Sequence, residues 1–250
     1  MNKVIDFLGI KVNALTRDEM IKTILEFALK GKQKMVTYLN THCVNIAFTD
    51  TEYRKILNLA NIVYADGISI VWASRFLGNS LLERVNILDF FDILVRELRD
   101  KRITIDLLGG KSHIVKKTEE ALKGEGLKII GSKNGFFDKT EEKEIIREIN
   151  ILKPDILMVG MGVPKQEKWI DRHLQELDVN LCWALGAAFD WLSGQRKRAP
   201  RWMIKCGFEW IHRLYQQPKR LWKRYLIGNL VFIYYVLSWK IREISPFAKA

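Results

Sequence analysis

Residues 155–170 read DILMVGMGVPKQEKWI, a short apolar run that ends in a glycine-rich turn and continues into a polar segment. An apolar run of this length bounded by glycine predicts a buried strand, here Asp155–Val159. The segment after the turn predicts a helix near residues 164–176. The stretch therefore has the strand–turn–helix form of one unit of a parallel α/β sheet.

The same alternation extends in both directions from residue 34 onward. Five further strands are predicted at Lys34–Leu39, Asn61–Ala65, Ile103–Leu108, Leu127–Ile130 and Asn180–Leu185. Helices are predicted near 42–60, 67–77, 87–100, 111–123 and 141–152. This order is typical of a Rossmann-like, mostly parallel sheet with helices on both faces, which we predict for residues 1–194 as an α/β catalytic domain.

Composition excludes several classes of protein. The chain has 250 residues, 48% hydrophobic and 28% charged, with only five prolines, which excludes disordered, collagen-like and polytopic membrane proteins. Its three cysteines have neither zinc-site nor disulfide-framework spacing, which favours a reducing compartment. The N-terminal residues MNKVIDFLGIKVNAL lack the apolar core of a signal peptide, so we expect a cytoplasmic protein.

The basic charge is concentrated in residues 195–250. This tail holds 13 Lys and Arg against two Asp and Glu, whereas residues 1–194 have a net charge of only +1. It also holds four of the eight tryptophans and an apolar run at 226–239, shorter than the roughly 20 residues of a spanning helix. Two tail helices are predicted, roughly 200–214 and 218–242. A basic, aromatic-rich appendage favours a membrane surface and argues against nucleic acid.

Polar and glycine residues follow four predicted strands, at the sheet edge where doubly wound folds bind ligands. They are Asn40, Asp66 with Gly67, the turn 109–112 (GGKS) and the turn 160–167. Glycine-rich turns that enter helices favour phosphate, so Gly109, Gly110, Gly160 and Gly162 are predicted to bind a nucleotide. A tight chain reversal is the alternative for any single turn, and neither turn completes a P-loop or a dinucleotide fingerprint.

Asp66 is the carboxylate best placed for catalysis, at a strand end and beside a glycine. A base there could remove a proton from a sugar hydroxyl, but a helix N-cap explains the residue equally well. Asp190, in GAAFDWLSG, is interpreted as structural or as a contact to a ligand hydroxyl. The chain has no D-x-D pair, so we expect no metal, and its four scattered histidines read as capping or surface residues.

Arg213, Arg220 and Arg224, with Lys223, form the most suggestive group of cations. Positions 220, 223 and 224 share a face of the helix predicted to start at Pro218. They could grip a pyrophosphate through paired donors. A solvated basic face that attracts anionic lipid is the alternative, and the two roles are compatible.

Taken in order, the motifs resemble the WecG/TagA/CpsF family of bacterial glycosyltransferases over nearly the whole chain. The matching segments are LNTH at 39–42, ADGISIVWASRFLG at 65–78, ERV at 83–85 with Asp89, LLGG at 107–110, GMGVPKQEKWI at 160–170, GAAFDWLSG at 186–194, RAPRWM at 198–203, GFEWIHRL at 207–214 and PKRLWKRY at 218–225. Jointly these motifs are far more specific than any one of them.

The resemblance implies an inverting transferase that moves an N-acetylmannosamine-type sugar or its uronic acid from a UDP donor to undecaprenyl-diphosphate-linked GlcNAc. The transfer would be a step in the synthesis of a cell-surface polymer, such as teichoic acid, enterobacterial-type antigen, capsule or exopolysaccharide. The enzyme would be peripheral on the inner face of the cell membrane. It would need neither metal nor cofactor, since the UDP-sugar is a co-substrate. The oligomeric state stays open, a homo-oligomer included.

The resemblance also implies roles for individual residues. Asp66 would be the general base, and Arg213, Arg220 and Arg224 the lipid-pyrophosphate clamp. Asn40, Arg84 and Gln166 would contact the donor or acceptor sugar, and Asp190 would join the glycine turns at the nucleotide. The rival interpretation is a non-catalytic basic membrane adaptor that binds nucleotide or anionic lipid, which would have no use for Asp66 or Gln166.

Overall fold

In the computed structural model, which describes residues 3–244, the chain begins with a hairpin and a helix that the sequence analysis did not predict. Strands β1 (Val4–Phe7) and β2 (Ile10–Asn13) pair antiparallel. Helix α1 (Arg17–Lys30) follows, with Thr16 and Glu19 forming a reciprocal capping box at its start. Each strand has only four residues, too few for alternation to distinguish a strand from a loop.

The six predicted strands are all present and form one parallel sheet, which confirms the predicted fold. They are β3 (Lys34–Leu39), β4 (Ile62–Ala65), β5 (Thr104–Gly109), β6 (Lys128–Lys133), β7 (Ile156–Gly160) and β8 (Leu181–Ala184). Their order across the sheet is β4-β3-β8-β7-β5-β6, and every pairing is parallel. The carboxyl ends of the strands therefore share one edge.

Helices cover both faces of this sheet, as predicted. They are α2 (Thr41–Thr49), α3 (Thr51–Leu59), α4 (Ile68–Phe76), α5 (Ile87–Asp100), α6 (Ser112–Gly124), α7 (Lys139–Leu152), α8 (Lys165–His173) and α9 (Ala188–Leu192). Successive residues of β7 enter two different hydrophobic clusters, Met158 with α1, α5 and α6, and Val159 with α7 and α8. The strand is apolar throughout because both of its faces are buried.

The helix predicted over 42–60 is two helices. Asp50 ends α2 and caps α3, its Oδ1 accepting the N–H of Tyr53 at 2.9 Å. An Asp side chain competes for backbone donors in this way, which ends one helix and starts the next.

The tail of the chain also differs in part from its prediction. The helix expected over 200–214 is interrupted at Gly207, which has a φ of +77°, so α10 (Arg201–Lys205) and α11 (Glu209–Gln216) are separate. The second expected helix is present as α12 (Pro218–Trp222), a π-helical segment (Lys223–Ile227) and α13 (Gly228–Ile244). Among the helices that the structure describes, none combines the length and apolarity needed to cross a membrane.

Helix α13 packs on the α/β body. Its Phe232 and Val236 are buried in the main hydrophobic core, and Tyr235 stacks on Phe48 of α2 with ring centroids 3.9 Å apart. The Nδ2 of Asn45 donates a hydrogen bond to the carbonyl of Gly228 at 2.7 Å. This docking places the tail beside the carboxyl ends of β3 and β4.

Candidate active site

A cavity of about 520 Å³ lies between the tail and the carboxyl ends of β3 and β4. Its polar wall comes from the two strand ends, from the segment before α5 and from two tail helical segments, and its other walls come from α4 and α13. The charged and amide side chains on the polar wall are Asn40, Asp66, Arg84, Asn86, Glu209, Arg213 and Arg224. Five of the residues predicted to form the site are therefore together.

Asp66 follows β4, where its N–H donates to the carbonyl of Leu39 at 3.0 Å. Helix α4 begins at Ile68 with Gly67 in the N-cap position, so the alternative that Asp66 caps this helix is wrong. Its Oδ1 instead accepts a hydrogen bond from the Nδ2 of Asn86 at 2.7 Å. The carboxylate is thus held in the wall of the cavity.

The electrostatic surroundings of Asp66 suit a base. Burial raises the pKa of Asp66 above the ordinary value of an aspartic acid, while the positive charges of Arg213 and Arg84 oppose that rise. A carboxylate with a raised pKa is a stronger proton acceptor than a solvated one. The neighbouring guanidinium groups favour its ionised form, in which it can accept a proton.

A network of ion pairs joins the body to the tail around this carboxylate. Arg84 pairs with Asp89 and, at 3.0 Å, with Oε2 of Glu209. The other oxygen of Glu209 lies 3.0 Å from Nη2 of Arg213, and Arg198 pairs with Asp89. All of these side chains are buried or half-buried. The tail is therefore structurally part of the site.

Two of the three arginines expected to clamp a pyrophosphate lie at the cavity. Arg213 sits over the ring of Trp191 at 5.1 Å, and Arg224 over that of Tyr225 at 5.7 Å. The Nε of each is buried and has no hydrogen-bond partner among residues 3–244. Both arginines line the cavity, so it has positive charge in its wall.

The third arginine, Arg220, is exposed and does not line the cavity. Its side chain donates one long hydrogen bond within residues 3–244, to Oε1 of Gln217 at 3.4 Å. Lys223 is exposed as well. The face that positions 220, 223 and 224 would share on a regular α-helix is interrupted, because the π-helical segment begins at Lys223 and changes the residues per turn.

The glycine turns lie outside the cavity wall, where β5 and β7 are neighbours. The chain continues from β5 to β6 on one side of this pair and from β7 to β8 on the other side. The space between β5 and β7 is therefore the topological switch point of the sheet. A Cβ at Gly109 would lie 2.5 Å from the carbonyl carbon of Gly160, and the N–H of Gly110 donates to the Gly160 carbonyl at 3.0 Å. Gly162 has open space around it and a φ of +83°. Nucleotide binding by these glycines stays a prediction.

Gln166 and Asp190 are also outside the cavity wall. Gln166 is fully buried, and its Oε1 accepts the N–H groups of Gly186 at 2.9 Å and Gly162 at 3.2 Å. Its Nε2 donates to Glu167 at 2.7 Å. Asp190 is paired with Arg196 at 2.6 Å. The structure thus shows both side chains engaged with protein groups, and their ligand contacts stay predictions.

Three contributors to the cavity were not identified from the sequence. His42 was expected to cap a helix or face solvent, but it lines the cavity, and burial with the charge of Arg224 lowers its pKa to about 4. Glu209 lies inside the quoted GFEWIHRL motif, which is the one signal that marks it. Asn86 has no local signal, since it reaches Asp66 from 20 residues away.

In the described part of the chain, no three His, Cys, Asp or Glu side chains are close enough to hold a metal ion.

Comparisons with known proteins agree with the motifs. Residues 5–246 match the model of the glycosyl transferase WecG/TagA/CpsF family. The chain is 29% identical over 243 residues to an N-acetylglucosaminyldiphosphoundecaprenol N-acetyl-beta-D-mannosaminyltransferase of Staphylococcus aureus (strain MW2), covering 94% of this chain and 93% of that protein. It is 35% identical over 201 residues to a Bacillus subtilis (strain 168) protein of the same name, covering 78% and 77%. The resemblance found in the sequence is confirmed.

Proposed function

The chain belongs to the WecG/TagA/CpsF family of glycosyltransferases, and we propose that it transfers an N-acetylhexosamine-type sugar from a UDP donor to undecaprenyl-diphosphate-linked GlcNAc. N-acetylmannosamine or its uronic acid is the favoured sugar. The names of the relatives support N-acetylmannosamine as the sugar, and they support this acceptor. We place the reaction in the synthesis of a cell-surface polymer such as teichoic acid, enterobacterial-type antigen or capsule.

One observation carries the proposal: Asp66 shares a cavity with Arg213 and Arg224, whose Nε donors are buried and unpartnered within the described chain. A carboxylate base beside two guanidinium groups matches an acceptor that has a hydroxyl to deprotonate and a diphosphate to hold. Paired guanidinium donors bind phosphate oxygens through charge-assisted hydrogen bonds, which are about twice as strong as neutral ones.

The reaction is a single displacement. Asp66 takes the proton of the acceptor hydroxyl as that oxygen bonds to the anomeric carbon of the donor sugar. The bond from that carbon to the UDP oxygen breaks on the opposite face, so the configuration inverts and UDP leaves. The proton remains on Asp66 until solvent removes it.

The protein itself has groups that could stabilise the negative charge of both diphosphates. Arg213 and Arg224 would hold the acceptor diphosphate, and backbone N–H groups at the sheet edge would stabilise the departing UDP. We therefore propose a transferase that works without a divalent metal.

The exposed surface of the tail supports a peripheral position on the membrane, at the inner face where the lipid acceptor would be met. Large apolar and aromatic side chains remain exposed along it, among them Trp202, Tyr215, Trp222, Leu230, Tyr234 and Ile241. Interleaved with the basic residues, these groups match the chemistry of an anionic lipid interface.

Incubation with a panel of UDP-sugars and a short-chain polyprenyl-diphosphate-GlcNAc tests the proposal, with release of UDP and product mass as readouts. We expect transfer from one donor, with inversion at the anomeric carbon. The folded Asp66→Asn variant is the control. Binding of nucleotide or anionic vesicles without transfer from any donor would favour the adaptor interpretation instead.

A further inference from the structure

One wall of the cavity is apolar and comes from α4. Trp72 and Phe76 lie one turn apart on this helix, both line the cavity, and each is 53% exposed. Large apolar side chains on a soluble surface are normally scattered, and contiguous ones mark a binding surface. Nothing in the charge network around Asp66 requires them.

Helix α13 supplies a second apolar part of the cavity lining. Phe232 and Val236 bury their side chains in the core, while Ile233 and Leu237, one turn apart, line the cavity and remain half exposed. Positions four apart lie on one face of a helix, so Ile233 and Leu237 form a second apolar ladder in the same cavity as Trp72 and Phe76. The two ladders bound an apolar groove, which we call the α4–α13 groove.

The groove and the cationic end belong to the same cavity. Arg213 and Arg224 contribute their guanidinium groups to it, and Asp66 lies at its polar wall. A ligand that fills both parts must join an anionic group to an apolar chain. A polyprenyl diphosphate has that form, since its diphosphate is bonded directly to the first isoprene unit.

We propose that the α4–α13 groove binds the first isoprene units of the acceptor lipid, so that the enzyme recognises the lipid itself as well as the sugar and diphosphate. This inference rests on the proposed function. It differs from docking on a bilayer, because other apolar residues of the same helix face away from the cavity. Leu230 is 70% exposed and Tyr234 66% exposed, and neither lines the cavity.

Apolar residues that line the groove and apolar residues outside it provide a matched experiment. Trp72→Ala and Leu237→Ala each remove a groove contact from a different helix, and both side chains are exposed enough for the fold to survive. Leu230→Ala, which removes the same side chain as Leu237→Ala, and Tyr234→Ala, which removes an aromatic ring, are the controls outside the groove. Calorimetry then measures binding of geranyl diphosphate and of inorganic pyrophosphate, both water-soluble, to the full chain without vesicles.

We expect the wild type to bind geranyl diphosphate at least about tenfold more tightly than pyrophosphate, since buried apolar surface adds affinity. The groove variants should lose most of that difference and keep their affinity for pyrophosphate, while the controls match the wild type. Equal binding of the two probes by the wild type would overturn the inference, as would equal losses in the control variants.

Transfer assays separate this inference from the proposed function. With a short-chain isoprenyl acceptor in solution, the groove variants should raise KM about tenfold with kcat nearly unchanged. With a methyl-diphosphate-GlcNAc acceptor, they should match the wild type. If the wild type transferred to neither acceptor while the binding difference persisted, the proposed function would fail and the groove would stand. If the groove variants had an unchanged KM for the isoprenyl acceptor, the proposed function would stand and lipid binding in the α4–α13 groove would be refuted.

Discussion

The carboxyl edge of the sheet has two regions with opposite use of their polar groups. At β5 and β7, glycines pack against each other and the N–H of Gly110 is bonded to the Gly160 carbonyl. At β3 and β4, the side chains of Asn40 and Asp66 face a cavity that the tail completes. The glycine pattern is the stronger sequence signal, yet the cavity of about 520 Å³ lies at the other region. A chain turn reveals how the backbone is folded, whereas a site also needs polar side chains that reach an open cavity.

The largest expected effect tests the cavity region. Asp66→Asn should lower turnover by roughly 100-fold or more, the usual contribution of a positioned general base. An asparagine can still bond to Asn86, so the fold and the affinity for UDP should persist. Steady-state kinetics and a thermal melt measure the two, with the exposed Asp92→Asn as control. A folded variant with near-normal turnover would remove Asp66 from the mechanism.

A second comparison separates arginines of the cavity from a nearby arginine outside it. Arg213→Ala with Arg224→Ala should lower kcat/KM for a soluble short-chain acceptor by about 30-fold or more, because charge-assisted bonds to a diphosphate are lost. Arg220→Ala should stay within about threefold. Since no vesicles are present, attraction to the membrane cannot contribute. Equal losses in both variants would restore the three-arginine clamp expected from the sequence.

Glu167, buried near the start of α8 and bonded to Thr37 of β3, should affect the pH dependence of stability. Burial raises the pKa of Glu167 to about 7. The folded state thus holds a proton that an unfolded glutamate releases near pH 4.3, and stability contributed by this group falls as pH rises from about 4.5 to 7. Glu167→Gln should remove that loss. The difference in free energy of unfolding, variant minus wild type, should therefore increase by about 2 kcal/mol from pH 5 to pH 8.

Urea unfolding at the two pH values measures this difference, with Glu144→Gln on the surface as the matched control. Turnover at neutral pH should change little, because a glutamine can still accept from Thr37, as Glu167 does at 3.0 Å. The same pH dependence in the variant and the wild type would show that Glu167 is not the titrating group.

The smallest expected effect concerns metal ions. A chelator should leave transfer almost unchanged, because the sequence has no D-x-D pair to hold a divalent ion and Arg213 and Arg224 would supply positive charge at the proposed acceptor-diphosphate site. Activity that disappeared with chelator and returned with Mg²⁺ or Mn²⁺ would contradict the proposed metal independence. It would also draw attention to the donor site near β5 and β7, where a UDP diphosphate would be held.

The central sheet could be predicted because each strand is a short apolar run between turn residues. The hairpin β1–β2 could not, since four-residue strands have no readable period. Asn40 and Asp66 were found because parallel strands bring their ends together. The ion pair between Glu209 and Arg84 could not be predicted, because 125 residues separate them and no local pattern indicates such a contact. The exposure of Arg220 outside the cavity could not be predicted, because a π-helical segment is not visible in residue spacing, and its role in the clamp stays a prediction.

The burial of Phe232 and Val236 in the main core has a consequence for how the protein is made. A ribosome builds the chain from its N-terminus, so β8 and α9 emerge long before these two residues. Until they emerge, the core has an open side and Arg213 and Arg224 have no fixed place beside Asp66. The proposed transfer to a lipid acceptor therefore becomes possible only after this last segment has folded, and a chain released early is expected to be inactive and prone to aggregation.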